Sequence, residues 1–485
     1  MAAPERVAAI PAQNCSAARW ESNRLRADSI AAASALVFVT VPSFYIRTPV
    51  TMPVMTKEEI LLARSEFLFP AVFHLYREPL VIERAKDQFV WDADGKEYLD
   101  FFGGIVTVSI GHANEEINAA VCRQMATLGH TSTLYATGPV GELAKKLAEV
   151  SPGGRLTRSM FTNSGSEANE TAIHAARLFT GHSDIVALRH SYHGRSQLSA
   201  ALTGNQAWRH SGTTAPGITF AHNAYCYRCP FGLTYPSCGV RCAHDVRDLI
   251  RTTTSGRVAG MIAEPIQGVG GFITPPREYF SIVSDIVREH GGIFISDEVQ
   301  TAWGRTGSKW FGIEHWGVTP DAVTSAKGLA NGLPIGLTLA TNEVAQAVPP
   351  PTISTFGGNP VCSSAASAVL DFIQQHALLS RTEENGQHLR EGLLRLQSKR
   401  SLIGDVRGMG LLQALELVTD RTAKTPAAAE TTALLEAARE QGLLIGKGGL
   451  HGNCVRISPP MDIGLADIDE FLLRLDRAFE TITRH

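Results

Sequence analysis

The feature that most restricts how this chain folds is a series of short apolar runs. Each stops at a polar or charged residue and gives way to a helix-like pattern. The runs fall at residues 160–161, 185–188, 260–263, 293–296 and 322–324, with helical periodicity between them, for example over 167–179 and 279–290. Short continuous apolar runs suit strands buried on both faces. Strand–helix alternation then implies an α/β fold with a mostly parallel sheet flanked by helices. Such a sheet places ligands beyond the C-terminal ends of its strands. The residues just past each run are the ones to read for chemistry. Ahead of them, residues 81–85 and 88–92 read as a hairpin that returns at 98–101, and the C-terminal part reads as longer helical patterns broken at Gly408-Met409-Gly410, with a final helix near 466–481.

Two of these ends carry opposite charges. Gly292-Ile293-Phe294-Ile295-Ser296 runs into Asp297-Glu298-Val299-Gln300, and thirty residues later Lys327 follows Thr324-Ser325-Ala326. A carboxylate and an amine at buried strand ends are costly unless they share a task. Pyridoxal phosphate offers that task, with the Lys for a Schiff base and the Asp for the ring nitrogen. A desolvated Lys has a lowered pKa and is nucleophilic toward aldehydes. Val299 can pack against the back of the ring. Three further strand ends fit the same ligand. Asn163-Ser164-Gly165-Ser166-Glu167-Ala168-Asn169-Glu170 reads as a capped helix start whose free N–H groups suit a phosphate. Ser191-Tyr192-His193-Gly194 can lay an aromatic ring flat on a planar cofactor. Ala263-Glu264-Pro265-Ile266-Gln267-Gly268 supplies an acid able to orient polar neighbours. Singly, these read equally well as a plain cap, a turn, a solvated loop acid and a surface Lys.

Together and in this order they resemble the class III aminotransferases of the fold type I pyridoxal-phosphate enzymes, from about residue 92 to 483. Further marks are Gly304-Arg305-Thr306-Gly307 and Ser354-Thr355-Phe356-Gly357-Gly358-Asn359-Pro360. The resemblance implies a large cofactor-binding domain over 111–360 and a smaller α+β domain over 361–485. Residues 56–110 are expected to pack with the small domain. It implies that Lys327 forms the Schiff base and that Asp297 pairs with the ring nitrogen. Gly165 and Ser166 hold the phosphate, Tyr192 stacks on the ring, and His193, Glu264 and Val299 line the cofactor. Gln300 meets the ring hydroxyl, and Thr355 reaches the phosphate of a neighbouring subunit, which requires a homodimer or a dimer of dimers. Arg456, in Val455-Arg456-Ile457-Ser458-Pro459-Pro460, meets a substrate carboxylate. The reaction implied is ping-pong transfer of an amino group from an amino acid to an oxo acid. Members acting on ornithine often place an acid after the Glu-Pro-Ile-Gln-Gly motif, shielding that arginine; here the position is Val269. This leans toward alanine as donor and glyoxylate as acceptor, in the alanine–glyoxylate subgroup, with ω-amino donors and pyruvate still open. The alternative is a pyridoxal-phosphate lyase that eliminates phosphate from a phosphorylated amino alcohol.

Composition removes other classes. With a net charge of -3 and 19% charged residues in 485, no global field favours nucleic acid or an acidic membrane. The apolar run at 31–41 is too short to span a bilayer. Eight unevenly spaced Cys point to a reducing, cytoplasmic setting rather than a disulfide scaffold. Residues 1–55 read as a disordered extension; Glu5, Glu21 and Asp28 argue against an import signal, though organellar import through residues 1–50 stays open. Cys226, Cys229, Cys238 and Cys242 fall within seventeen residues. Their spacing departs from common zinc modules, and a metal-free insertion loop is the preferred reading, with a structural zinc as the alternative.

Overall fold

The computed structural model describes residues 55–483 apart from 211 and 213. The expectation for residues 1–54 lies outside them. The chain forms two compact units, one up to Val81 and one from Ile82. In the first, Lys57–Phe67 is a helix opened by a reciprocal cap: Thr56 Oγ1 accepts from Glu59 N at 3.2 Å and Glu59 Oε2 from Thr56 N at 2.8 Å. It buries no residue, so this cap and two bonds from Arg64 to Val72 and Phe73 carbonyls hold the segment locally.

The second unit is built on a seven-stranded sheet. In spatial order the strands are Arg158–Thr162, Gly336–Ala340, Ala322–Ser325, Ile293–Asp297, Gly260–Ala263, Ile185–Leu188 and Ile218–Ala221. All neighbours pair in parallel except Gly336–Ala340, which runs antiparallel to both of its own. The five expected strands are all present. Two more were not read from the sequence. Ile218–Ala221 is an edge strand, mostly half-buried, so it lacks a clean apolar run. Gly336–Ala340 begins with a Gly just after Pro334, a punctuation that reads as a turn. That Gly is there for space: a Cβ would lie 2.3 Å from the Ser164 carbonyl oxygen. The helix Gly165–Thr180 packs on the sheet through Ala168, Ala172 and Ala176, spaced one turn apart, beside Ile173. Small residues let it approach Ile185, Ile262 and Ile295 in one core.

Two smaller sheets complete the unit. Ile82–Lys86, Phe89–Asp92 and Glu97–Asp100 form the expected hairpin and its return, and Leu443–Leu444 adds in parallel to the last. Ile403–Met409, Leu412–Asp420, Cys454–Ile457 and Gly446–Gly448 form the other. The sequence reading placed a helix break at Gly408-Met409-Gly410; the structure corrects this to a hairpin turn. Gly408 and Gly410 have φ of 128° and 52°, and a Cβ on Gly410 would sit 2.5 Å from the Thr306 carbonyl carbon. The long C-terminal helices are present as Leu378–Lys399 and Leu465–Thr483. Pro360–Gln375 packs on Glu115–Thr127 and Gly138–Glu149. No helix among the described residues is long and apolar enough to cross a membrane.

Candidate active site

The parallel strands end together. Ala263 is in register with Ser296, and Asp297 with Thr324, so the segments after them converge at one edge. A cavity of about 150 Å³ opens there. Gly165, Ser166, Tyr192, His193, Glu264, Asp297, Val299, Gln300 and Lys327 all line it, as does Asn169. Nine of the site residues named from sequence are thus brought into one place. Arg456 joins through Gln300, whose Oε1 accepts from Arg456 Nη2 at 2.5 Å. Thr355 does not line the cavity of its own chain and is exposed.

Asp297, 2% exposed, is fixed at both oxygens. Oδ1 accepts from Val299 N at 3.1 Å; Oδ2 lies 2.7 Å from His193 Nδ1 and accepts from Asn169 Nδ2 at 2.8 Å. Asn169 Oδ1 in turn accepts from Thr324 Oγ1 at 2.5 Å, and the second N–H of its amide donates to the His193 carbonyl at 2.8 Å. Sequence reasoning quoted Asn169 in its motif without assigning it a role. The available signal was spacing: it falls one turn after Gly165, on the face that meets the strand ends.

Lys327 leaves its strand with φ 44°, a left-handed value costly for a residue with a Cβ. Burial pushes its amine down to about 8; Arg456 acts in the same direction, while Asp297 and Glu264 oppose it. Burial pushes the Glu264 carboxyl up to about 7, against the pull of His193 and with the push of Asp297. Glu264 holds the turn before His193 and its own loop by accepting from Tyr192 N at 2.9 Å and Gly268 N at 2.8 Å. Arg456, 3% exposed, lies 5.3 Å from the Phe102 ring centre and 4.9 Å from that of Phe272. Burial lowers it to about 10. No carboxylate among the described residues pairs with it, and its Nε is buried without a partner. The position after the Glu-Pro-Ile-Gln-Gly motif is Val269, which brings no charge to pair with it.

Pyridoxal phosphate fits this arrangement. Ser164 caps the helix by accepting from Glu167 N, leaving the first-turn N–H groups of Gly165 and Ser166 beside the cavity. A Cβ on Gly165 would lie 2.9 Å from Val299 Cγ2, and one on Gly194 2.3 Å from Ser166 Oγ, so both glycines keep the floor open. An anchored buried carboxylate facing that space calls for a protonated ring nitrogen. Gln300, expected at the ring hydroxyl, has its amide oxygen on Arg456.

The four clustered cysteines lie elsewhere. Cys226, Cys229, Cys238 and Cys242 are free thiols around a cavity of about 20 Å³. Among the described residues, no group of three or more His, Cys, Asp or Glu is arranged to hold a metal ion.

Residues 74–479 match the family model described as aminotransferase class-III. Alanine–glyoxylate aminotransferase 2 homolog 2, mitochondrial, of Arabidopsis thaliana is 42% identical, over 90% of each chain. A leucine/methionine racemase of Thermococcus litoralis is 38% identical, over 88% of this chain and 96% of its own. Among solved structures, a thermostable (S)-enantioselective ω-transaminase from Thermomicrobium roseum matches with a TM-score of 0.82 and 32% identity, over 88% of this chain and 99% of that one.

Proposed function

This chain belongs to the class-III aminotransferases, pyridoxal-phosphate-dependent transaminases of fold type I, and from that premise we propose that its donor is alanine or an ω-amino acid and its acceptor glyoxylate or pyruvate. The observation that carries this is Arg456, buried, unpaired with any carboxylate and tied through Gln300 to the cavity of Lys327. A guanidinium fork in that state favours a substrate carboxylate. The name of the Arabidopsis relative supports the alanine and glyoxylate pair.

The cofactor, when bound, supplies an electrophilic carbonyl and a ring that accepts electron density from the carbon losing its proton. The rest is the work of this chain. Gly165 and Ser166 would offer N–H and hydroxyl groups to the phosphate, and Val299 and Tyr192 would hold the ring. Asp297, held in place by Asn169 and the Val299 N–H, would accept from a protonated ring nitrogen. Lys327, whose amine burial pushes down to about 8, would move a proton at the reacting carbon. Arg456 orients the carboxylate. Because one cavity serves donor and acceptor in turn, the kinetics are ping-pong.

The test is the visible spectrum of the holoenzyme. L-Alanine should shift the cofactor band, and glyoxylate should restore it. A band unmoved by alanine, β-alanine and 4-aminobutyrate would overturn the substrate reading. Product released from phosphoethanolamine with no oxo acid present would establish the lyase alternative.

Two further proposals accompany this one. The chain works as a homodimer, with Thr355 serving the partner's site; its exposure beside Ile353 and Phe356 supports this. The cytoplasmic reading rests on cysteine content, whereas the Arabidopsis and human relatives are named mitochondrial, which supports import through residues 1–50. Imaging tagged chains with and without those residues separates the two.

A further inference from the structure

A second cavity, of about 910 Å³, lies between the loop around Tyr225 to Tyr235 and the strand Ile403–Met409, and shares no lining residue with the cavity of Lys327. Four cations line it, Arg228, Arg390, Arg407 and Lys424, against one carboxylate, Asp405. Beneath them Glu416, fully buried, accepts from Arg228 Nε at 2.5 Å and from Arg407 Nη1 at 2.6 Å, and Asp405 accepts from Arg407 at 2.9 Å. Two positive charges are left over. Arg390 reaches only the Gln413 side chain and the Val406 carbonyl, both at 3.4 Å, and Lys424 donates to the Tyr227 carbonyl at 2.7 Å. Neither has an acidic partner among the described residues. Arg228 Nη2 is buried with no acceptor among the described residues. Lys424 is also held at φ 53°, a strained value, with its ammonium 4.8 Å from the Tyr227 ring centre. Strain of this kind persists where surrounding structure fixes a side chain for use. Like charges gathered around one hollow repel unless an anion joins them.

We propose that this cavity binds a small organic polyanion, whose clustered phosphoryl or carboxylate oxygens bridge Arg390 and Lys424. Guanidinium groups take such oxygens in pairs, and the ammonium adds a compact charge. Binding there is felt at the active site through Arg407. Its Nε donates to the Gly271 carbonyl at 2.8 Å. Arg407 pairs across the sheet with Ala414, and Ala414 with Arg456, so both arginines stand on one rung and one face. The residue after Gly271 is Phe272, whose ring faces Arg456. An anion that draws on Arg407 therefore loads the loop that seats the substrate arginine.

Calorimetric titration of the holoenzyme at low salt with ATP, citrate and inorganic phosphate tests this. One equivalent of ATP or citrate per chain should bind, with inorganic phosphate weaker; ATP against citrate separates phosphoryl from carboxylate ligands. Affinity should fall by at least about ten-fold in the Arg390→Ala/Lys424→Ala variant, which loses two charged contacts, and persist in Lys424→Arg. The turnover of both variants without added anion should match the parent. Failure of all three anions to bind at millimolar concentration overturns the proposal. So does undiminished binding by the double variant, which would place the anion elsewhere.

Discussion

Lys327 shows what one buried amine costs and what it supplies. Its pKa is lowered, from a usual value near 10.5 to about 8, so folding disfavours its charged form. The unfolded chain then binds more protons in that window, and this contribution to stability rises with pH from about 8 to 10.5. At pH 7 both states are protonated and the full penalty applies, roughly 3 kcal/mol at 1.36 kcal/mol per unit. Lys327→Met, a neutral side chain of similar shape, should therefore make the cofactor-free protein more stable at pH 7. The gain should shrink to nothing by about pH 10.5, and turnover should be lost throughout. Denaturant unfolding at a series of pH values checks both halves; a variant no more stable than the parent at pH 7 would mean that the amine is not desolvated as described. The role of this lysine was legible because it follows Asp297 in an ordered set of strand-end motifs; alone it reads as a surface Lys. Asn169 was not, because its worth lies in the oxygen of Asp297, 128 residues away in sequence.

At the level of elements, the site depends on how the strand end Asp297 is carried into the turn Gly312–Trp316. Glu298 makes that link. It is fully buried, it accepts from Gly312 N at 2.9 Å, Ile313 N at 2.7 Å and Ser296 Oγ at 3.1 Å, and it is also bonded to the Thr301 hydroxyl. Glu298→Ala strands two buried N–H groups, each worth about 1–3 kcal/mol. A loss of about 3 kcal/mol or more is expected, read as a drop in melting temperature, with turnover reduced because Asp297 is no longer held. A variant with unchanged melting temperature would show the bonds to be incidental. The sequence announced the strand before Glu298 through three apolar residues in a row, Ile293 to Ile295. It hid the role of Glu298, since an acid after a strand looks like a cap until Gly312 is known to lie against it. The same limit explains the hairpin at Gly408: two glycines punctuate a helix and a turn alike, and the deciding fact, the Thr306 backbone pressed against Gly410, comes from more than a hundred residues away.

At the scale of the whole molecule, four of the large apolar side chains left in water sit on two loops that are tied together. Leu134 and Tyr135 are 68% and 69% exposed, and Ile353 and Phe356 are 60% and 61% exposed. They do not sit on frayed ends. Asn359 Nδ2 donates to the Gly129 carbonyl at 2.9 Å, Thr133 Oγ1 to the Ser354 carbonyl at 3.3 Å, and the rings of His130 and Phe356 lie 5.2 Å apart. Two loops are thus tied into one shaped apolar surface, the kind that marks a protein partner. No periodicity in the sequence exposes it, because Leu, Tyr, Ile and Phe are also the residues of the core. Thr355 lies within it, between Ile353 and Phe356, away from the cavity of its own chain. Under the homodimer proposed above, a second copy on this surface would account for both facts, since a two-fold pair would bury the patch on each chain and carry each Thr355 to the partner chain. Placing Asp at both Leu134 and Phe356 puts unpaired charges in that contact, at a cost of several kcal/mol. Light scattering should then report half the parent mass, and the monomer should lose cofactor on dialysis faster than the parent. A monomeric variant that keeps its cofactor would separate the two roles and leave Thr355 a surface residue. A variant that stays dimeric would move the interface to another face.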